Sequence, residues 1–87
     1  MITVYVLQGK LTGKRYVGIT NNLERRLVEH RSRSTKGGQV IGDFIVLFTE
    51  CYADYEKARQ REKFLKSGQG REWLNDQHYG SGPASGG

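Results

Sequence analysis

The stretch that decides the fold covers residues 2–31 and reads ITVYVLQGKLTGKRYVGITNNLERRLVEHR. Residues 2–8 are rich in β-branched and aromatic side chains, which favours a β-strand. Two glycines within residues 9–14 predict a tight connection, and residues 15–20 form a second candidate strand. The sequence therefore predicts a β-hairpin, which is followed by a helix that ends at about residue 32.

The start of this helix is marked by two adjacent asparagines. Either Asn21 or Asn22 can act as the N-cap, because an asparagine side chain accepts a hydrogen bond from the first helical turn. If Asn21 is the cap, Glu24 occupies the third helical position and completes a capping box. Beyond the helix, residues 31–38 are polar, basic and glycine-terminated, which predicts a mobile loop.

The second half of the chain predicts one more strand and further helix. The run FIVLF within residues 43–51 is apolar without alternation, which favours a central strand covered on both faces. Asp54 is a candidate cap for a second helix that ends near residues 67–68, and residues 70–75 could add one or two turns. The order β-β-α-β-α predicts an α+β fold with a three-stranded, mainly antiparallel sheet flanked by helices.

Length and composition limit the class of protein. The 87 residues allow one small domain, which we expect to span residues 1–78, followed by a disordered Gly/Ser-rich tail at residues 79–87. The net charge of +5 leans towards a polyanionic partner. Cys51 is the single cysteine, so no internal disulfide or cysteine metal cluster is expected, and its place after an apolar run predicts a buried thiol. No signal peptide or membrane-length segment is recognisable, so a cytoplasmic location without a membrane partner is expected.

Glu62 occupies a place in the second helix where a carboxylate is unusual. At 3.6 residues per turn it falls within the apolar stripe formed by Tyr55, Ala58 and Leu65. A buried carboxylate needs a compensating partner. An ion pair with an arginine or a shifted helix boundary would explain the position. Alternatively, the stripe faces a wet cleft where Glu62 binds a divalent cation, because one carboxylate with several waters is a common way to hold Mg²⁺.

Basic residues line one face of the first helix. Arg26 and His30 are four residues apart and share that face, which Arg33 continues, while Leu23 and Leu27 would anchor the helix to the sheet. The guanidinium of Arg26 could hold phosphate oxygens, although a solvated basic face is the simpler interpretation. His30 could act as a general base, an acid for the leaving group, a phosphate donor or a structural hydrogen-bond partner.

Two strand tyrosines complete the candidate site. Tyr5 and Tyr16 lie on adjacent strands, so a tight hairpin would bring both hydroxyls to one face of the sheet. Most tyrosines in strands only pack at the edge of a core. A catalytic interpretation therefore depends on Arg26 and Glu62 converging on the same point.

These residues together resemble the GIY-YIG nuclease domain over residues 2–75. Thr3-Val4-Tyr5 is similar to the first motif with threonine in place of its glycine, and Tyr16-Val17-Gly18 is similar to the second. Further matches fall at the family's arginine, histidine, metal-binding glutamate and, loosely, an asparagine: Arg26, His30, Glu62 and Asn75. The segment 61–68 resembles small standalone bacterial members, similar to the amino-terminal nuclease domain of the excision-repair endonuclease subunit.

The resemblance implies hydrolysis of a DNA phosphodiester bond, and hence a link to DNA repair. One Mg²⁺ or Mn²⁺ ion at Glu62 would stabilise the leaving oxygen, Arg26 would hold the scissile phosphate, and a tyrosine, His30 or a water would take the nucleophile's proton. Four residues are expected to contact nucleic acid: Arg26, Arg33, Lys36 and Asn75. Intrinsic sequence specificity should be low, with a flap, branch or nick recognised by shape, or with targeting supplied by a partner or missing module.

Two other classes of protein fit the same sequence. A nucleic-acid-binding module could have kept the fold without the chemistry, as the threonine in the first motif and the basic loop allow. Salt-sensitive binding without cleavage would identify such a module. A structural domain that never meets nucleic acid would show no affinity for DNA even at low salt.

Overall fold

The computed structural model describes residues 1–32 and 42–79 and confirms the α+β fold. Its elements are β1 (Ile2–Gly9), β2 (Arg15–Thr20), α1 (Leu23–Arg31), β3 (Phe44–Tyr52), α2 (Tyr55–Lys66), α3 (Gly68–Leu74) and a final π-helix (Asn75–Tyr79). The predicted mobile loop beyond residue 32, with Arg33 and Lys36, and the tail at residues 80–87 lie outside the described residues. Within the described ranges, no helix has the length and apolar character needed to cross a membrane.

The sheet is antiparallel and has the order β2-β1-β3, so β1 is its central strand. Four consecutive residues of β1, Val4 to Leu7, are fully buried. The prediction that residues 43–51 form the central strand was therefore wrong. Within the described residues β3 pairs with β1 alone, and Ile45 and Val46 on this outer strand are 47% and 38% exposed. An apolar run indicates a strand, but its neighbours decide whether both of its faces are covered.

The prediction for Cys51 was also wrong. Its thiol was expected to be buried, but the residue is exposed on β3. The Cys51 Sγ lies 3.7 Å from the hydroxyl of Thr3 on the neighbouring strand. Thr3, which stands where the resembled motif has a glycine, lies in a regular part of β1 and pairs with Thr20 and Cys51.

The two faces of β1 are covered by different helices, because successive side chains of a strand point to opposite faces. Val4 and Val6 pack in one core with Ala58, Leu65 and Leu74 from α2 and α3. On the other face, a second core brings side chains of β1 and β3 together with residues from β2 and α1: Tyr5, Leu7, Phe44, Tyr16, Leu23 and Leu27. The sheet thus separates α1 from α2.

The N-cap of α1 is Asn22, whose side-chain oxygen accepts a hydrogen bond from the Arg25 amide at 3.1 Å. Glu24 is therefore the second helical residue, one position short of the place that a capping box requires. The prediction that either asparagine could serve as the cap is thus resolved in favour of Asn22. This start fixes the helical phase and turns His30 towards the sheet, where it is fully buried.

α2 begins as predicted, with Asp54 accepting hydrogen bonds from the amides of Glu56 and Lys57. The helix ends at Lys66, and Ser67 then caps α3. At the corner between the two helices, a Cβ on Gly70 would overlap the carbonyl oxygen of Phe64 and lie 2.6 Å from the Leu65 Cα. This close backbone approach lets Leu74 join Leu65 in the core beneath α2.

Candidate active site

Three side chains from β1 and α1 meet at the hydroxyl of Tyr5. The hydroxyl lies 3.0 Å from His30 Nε2 and 3.4 Å from Arg26 Nε. Tyr5 and His30 are fully buried, whereas the side chain of Arg26 is 36% exposed. The helical spacing predicted that Arg26 and His30 share a face, and that face is directed at the first tyrosine.

The direction of one of these hydrogen bonds follows from the groups themselves. A guanidinium only donates, so the Tyr5 oxygen accepts from Arg26 Nε. In the bond between Tyr5 and His30, the donor is the Tyr5 hydroxyl or the Nε2–H group, according to the tautomer of the imidazole. Arg26, Tyr5 and His30 thus form a chain of hydrogen bonds from the surface to the core.

The electrostatics of the chain keep its inner members neutral. Burial lowers the pKa of His30, the charge of Arg26 lowers it further, and Glu29 partly opposes the change. Burial raises the pKa of Tyr5, although the hydrogen bond and charge of Arg26 act in the other direction. The bonds to Tyr5 and then Glu29 raise the pKa of Arg26, so the guanidinium stays charged. The site therefore presents one fixed cation in front of two uncharged rings.

Tyr16 joins this group from β2. Its ring centroid lies 6.2 Å from that of Tyr5 and 4.9 Å from that of His30. Tyr16 is only half-buried, so it reaches the surface together with Arg26. The sequence-based expectation that both tyrosines share one face is met, with Tyr5 on the inner side and Tyr16 on the outer side.

Two residues that shape the site were not among the predicted site residues. Glu29 lies three positions after Arg26, and its Oε1 accepts a hydrogen bond from Arg26 Nη1 at 3.0 Å. Gly18 lies directly opposite Tyr5, and a Cβ there would stand 2.6 Å from the Tyr5 hydroxyl oxygen. The i, i+3 spacing of Arg26 and Glu29 signalled the first contact in the sequence. The second depends on the strand register, which the hairpin alone did not fix.

Glu62 is anchored on the other side of the sheet, because α2 packs on the face opposite to Tyr5. Its side chain is 16% exposed, and its Oε2 accepts a hydrogen bond from Lys66 Nζ at 2.9 Å. An ion pair was one of the predicted explanations for this carboxylate. The partner is a lysine one turn further along α2 rather than an arginine. Tyr55, which was expected to share the inward stripe, is 54% exposed.

Two cavities open at the outer strand β2, and each is lined by residues of β2 and of α2. The first, here called the α1 cleft, has a volume of about 410 Å³, and Arg26 and Thr20 line it together with Tyr55 of α2. The second, the basic pocket, has a volume of about 260 Å³, and Tyr16 lines it together with Lys66 of α2. Glu62 lies between Tyr55 and Lys66 along α2, and the helical repeat puts all three residues on the same flank of this helix.

The remaining predicted site residues do not join this group in the part of the chain that the structure describes. Asn75 is exposed at the start of the π-helix, away from the contacts that join Tyr5, Arg26 and His30. Among the described residues, no group of three or more histidine, cysteine, aspartate or glutamate side chains could hold a metal ion.

Acidification should destabilise the protein through His30. The unfolded histidine takes up a proton near pH 6.5, whereas the buried ring resists protonation because its pKa is lowered. Below about pH 6.5 the unfolded state therefore binds more protons than the native state. The free energy of unfolding should fall as the pH drops from about 6.5 towards the pKa of His30 in the native protein. Each unit of lowering corresponds to about 1.4 kcal/mol. Urea denaturation at a series of pH values measures this change.

The control for that measurement is His30→Gln, which keeps a hydrogen-bonding side chain near the Tyr5 hydroxyl but does not titrate. In this variant, the free energy of unfolding should no longer show the part of the acid-induced decrease that is due to His30. The part of the decrease that is due to other groups should remain. Parallel stability curves for the two proteins over this pH range would contradict the assignment of a buried, neutral His30.

Comparison with known proteins places the chain in one family. The family model of the GIY-YIG catalytic domain matches residues 1–75, and the chain therefore belongs to the GIY-YIG family. The chain is also similar to the UPF0213 protein BH0048 from Bacillus halodurans, whose solution NMR structure has 29% sequence identity and a TM-score of 0.54. The similarity covers 98% of this chain and 92% of that protein. No curated protein matches the chain.

Proposed function

We propose that this protein is an endonuclease that hydrolyses phosphodiester bonds of DNA with one divalent metal ion. The observation that carries the proposal is the hydrogen-bonded chain from Arg26 through Tyr5 to the buried, neutral His30. The chain holds a guanidinium at the surface in a fixed orientation. In a member of the GIY-YIG catalytic domain family, such a guanidinium is suited to a phosphate.

The exposure of each side chain suggests its role. Arg26 is 36% exposed and would bind the scissile phosphate and offset the charge that develops in the transition state. Tyr16 is half-buried beside His30, so we assign the contact with the attacking water to its hydroxyl. Tyr5 and His30 are fully buried, which suits them to hold Arg26 and Tyr16 in position.

Glu62 is the residue that would hold the metal ion. A partly buried carboxylate with one oxygen bonded to a half-exposed lysine fits a single Mg²⁺ or Mn²⁺ ion that keeps most of its waters. When bound, the ion would stabilise negative charge on the leaving oxygen. Lys66 balances the Glu62 charge in the free protein and would have to give up this bond.

The same features suggest the substrate and the setting. One charged site on a small domain offers few contacts to base edges, so low intrinsic sequence specificity follows, with DNA recognised by its shape at flaps, branches or nicks. A partner protein or another module would then supply targeting. We further propose a role in DNA repair and a cytoplasmic location, without a membrane partner.

One observation favours a second candidate, a nucleic-acid-binding module without catalysis. The Glu62–Lys66 ion pair occupies the carboxylate that a metal ion needs, and it would be stable in a protein that never binds one. The two candidates differ in a single measurable property, which is bond cleavage.

The deciding experiment is a cleavage panel over supercoiled plasmid, linear duplex, flap, branched and single-stranded DNA. The wild-type protein should nick plasmid with Mg²⁺ or Mn²⁺ and be inactive in EDTA, and Arg26→Ala and Glu62→Ala should both be inactive. Salt-sensitive binding without cleavage under every metal would support the binding module instead. Cleavage at the wild-type rate by both variants would refute the site.

A further inference from the structure

Arg15 and Arg71, which line the basic pocket at the start of β2 beside Tyr16 and Lys66, have no role in the chemistry proposed above. The floor of this pocket is apolar and consists of Val17, Leu65 and Leu74, which are at most 7% exposed. Three cations surround this floor: Arg15 from β2, Lys66 from the end of α2 and Arg71 from α3. A concave site with several positive charges around it favours a ligand with negative charge.

The charges of the pocket are available to such a ligand to different degrees. Arg71 is exposed on α3, and Lys66 is 54% exposed and bonded to Glu62. Burial lowers the pKa of Arg15, so its charged form would gain from a nearby anion. Guanidinium groups match phosphate oxygens well because they offer planar pairs of N–H donors.

The position of the pocket relates it to Arg26. The α1 cleft opens at Thr20 and the basic pocket at Arg15 and Tyr16, which are opposite ends of β2. Tyr16 and Thr20 are four positions apart on the strand, a distance of roughly 13 Å. Because β2 is an outer strand, one elongated ligand can pass along it and reach both openings.

Nucleic acid has the dimensions for this path. A stacked strand advances about 3.4 Å per nucleotide, so roughly four nucleotides span the distance between the two cavities. Glu62 lies between Tyr55 of the α1 cleft and Lys66 of the basic pocket, on the same flank of α2. A strand bound at both ends would therefore pass over the carboxylate that we assign to the metal ion.

We propose that the basic pocket is a second phosphate-binding site, in which Arg15, Lys66 and Arg71 hold the substrate strand on the side of Glu62 that is away from Arg26. The position of the cut bond between the two ends of β2 rests on the proposed function, whereas binding of the strand does not. Phosphate contacts of this kind fix the register of a nucleic acid and carry no sequence information, which agrees with low specificity.

The test compares Arg71→Gln with Lys57→Gln. Both variants lose one exposed positive charge, but Lys57 is nine residues from Lys66 on α2 and so points to the opposite side of the helix. Binding of a labelled single-stranded and a labelled duplex oligonucleotide is measured in EDTA over a range of salt concentrations. Thermal unfolding of each variant confirms that the fold is intact.

Arg71→Gln should weaken binding about tenfold at low salt, as expected for the loss of one charged contact. It should also reduce the slope of log K against log salt by about 0.9 for duplex or about 0.7 for single-stranded DNA. Lys57→Gln should bind like the wild type. In cleavage assays, the loss in Arg71→Gln should fall on KM rather than on kcat.

Each outcome separates this site from the proposed activity. Equal weakening in both variants would indicate a general charge effect and overturn the site, and so would wild-type binding by Arg71→Gln. Selective weakening in Arg71→Gln, in a protein that cleaves no DNA with any metal, would support the phosphate site and refute the nuclease. If the wild-type protein binds neither oligonucleotide, the phosphate site fails, and the cleavage panel decides the nuclease activity separately.

Discussion

Glu62→Gln should reduce metal-dependent cleavage by at least about a thousandfold while the protein stays folded. Glutamine keeps the size of the side chain but removes the negative charge that would attract a divalent ion. The Lys66 side chain is 54% exposed, so solvent weakens its ion pair with Glu62. Loss of this ion pair should therefore change the free energy of unfolding by no more than about 1 kcal/mol. Single-turnover cleavage and thermal unfolding measure the two effects.

Glu56→Gln is the matched control for this change. Glu56 lies in the first turn of the same helix, is exposed, and loses the same charge on substitution. It should cleave DNA at close to the wild-type rate. Comparable losses in both variants would mean that the charge of α2, and not a site at Glu62, controls the activity. Undiminished cleavage by Glu62→Gln would remove Glu62 from the site.

Arg26→Lys should lower the cleavage rate about 100- to 1000-fold although the charge is kept. Lysine has neither the Nε that donates to the Tyr5 hydroxyl nor the fork that holds two phosphate oxygens at once. The tyrosine would lose a donor, and the phosphate would no longer be held in one orientation. Single-turnover rates at saturating DNA report this loss.

Arg25→Lys provides the comparison for the neighbouring arginine. Arg25 is exposed, and its backbone amide donates a hydrogen bond to the Asn22 side chain, which lysine retains. Its cleavage rate should stay near that of the wild type. If Arg26→Lys also cleaves at the wild-type rate, then Arg26 acts only through its charge, and the hydrogen-bonded chain to Tyr5 and His30 has no catalytic role.

The predictions that succeeded depend on short-range patterns. Asp54 was recognised as a cap because its side chain needs only the two amides that follow it. The helical spacing of Arg26 and His30 put them on one face wherever the helix packed. The errors arose where a second element decides the outcome, as for Cys51, which is exposed because β3 lies at the edge of the sheet.

For Glu62, the sequence indicated some features and only packing decided others. Its place beside Ala58 and Leu65 on α2 could be read from the helical repeat. The spacing of four residues between Glu62 and Lys66 could have indicated their ion pair, whereas the partner expected from the sequence was an arginine. That α2 and α1 cover opposite faces of the sheet depends on which side chains of β1 each helix buries, and no local pattern specifies this.

The order of elements, the caps and the residues that resemble the GIY-YIG motifs were accessible in the linear chain, because each depends on neighbours a few positions apart. Packing settled the rest: β1 at the centre, Tyr5 and His30 buried, Gly18 beneath the Tyr5 ring, and two cavities at the ends of β2. These features arise between residues far apart in sequence. Their positions follow from strand register and from the helices that cover each face, and these are properties of the assembled fold.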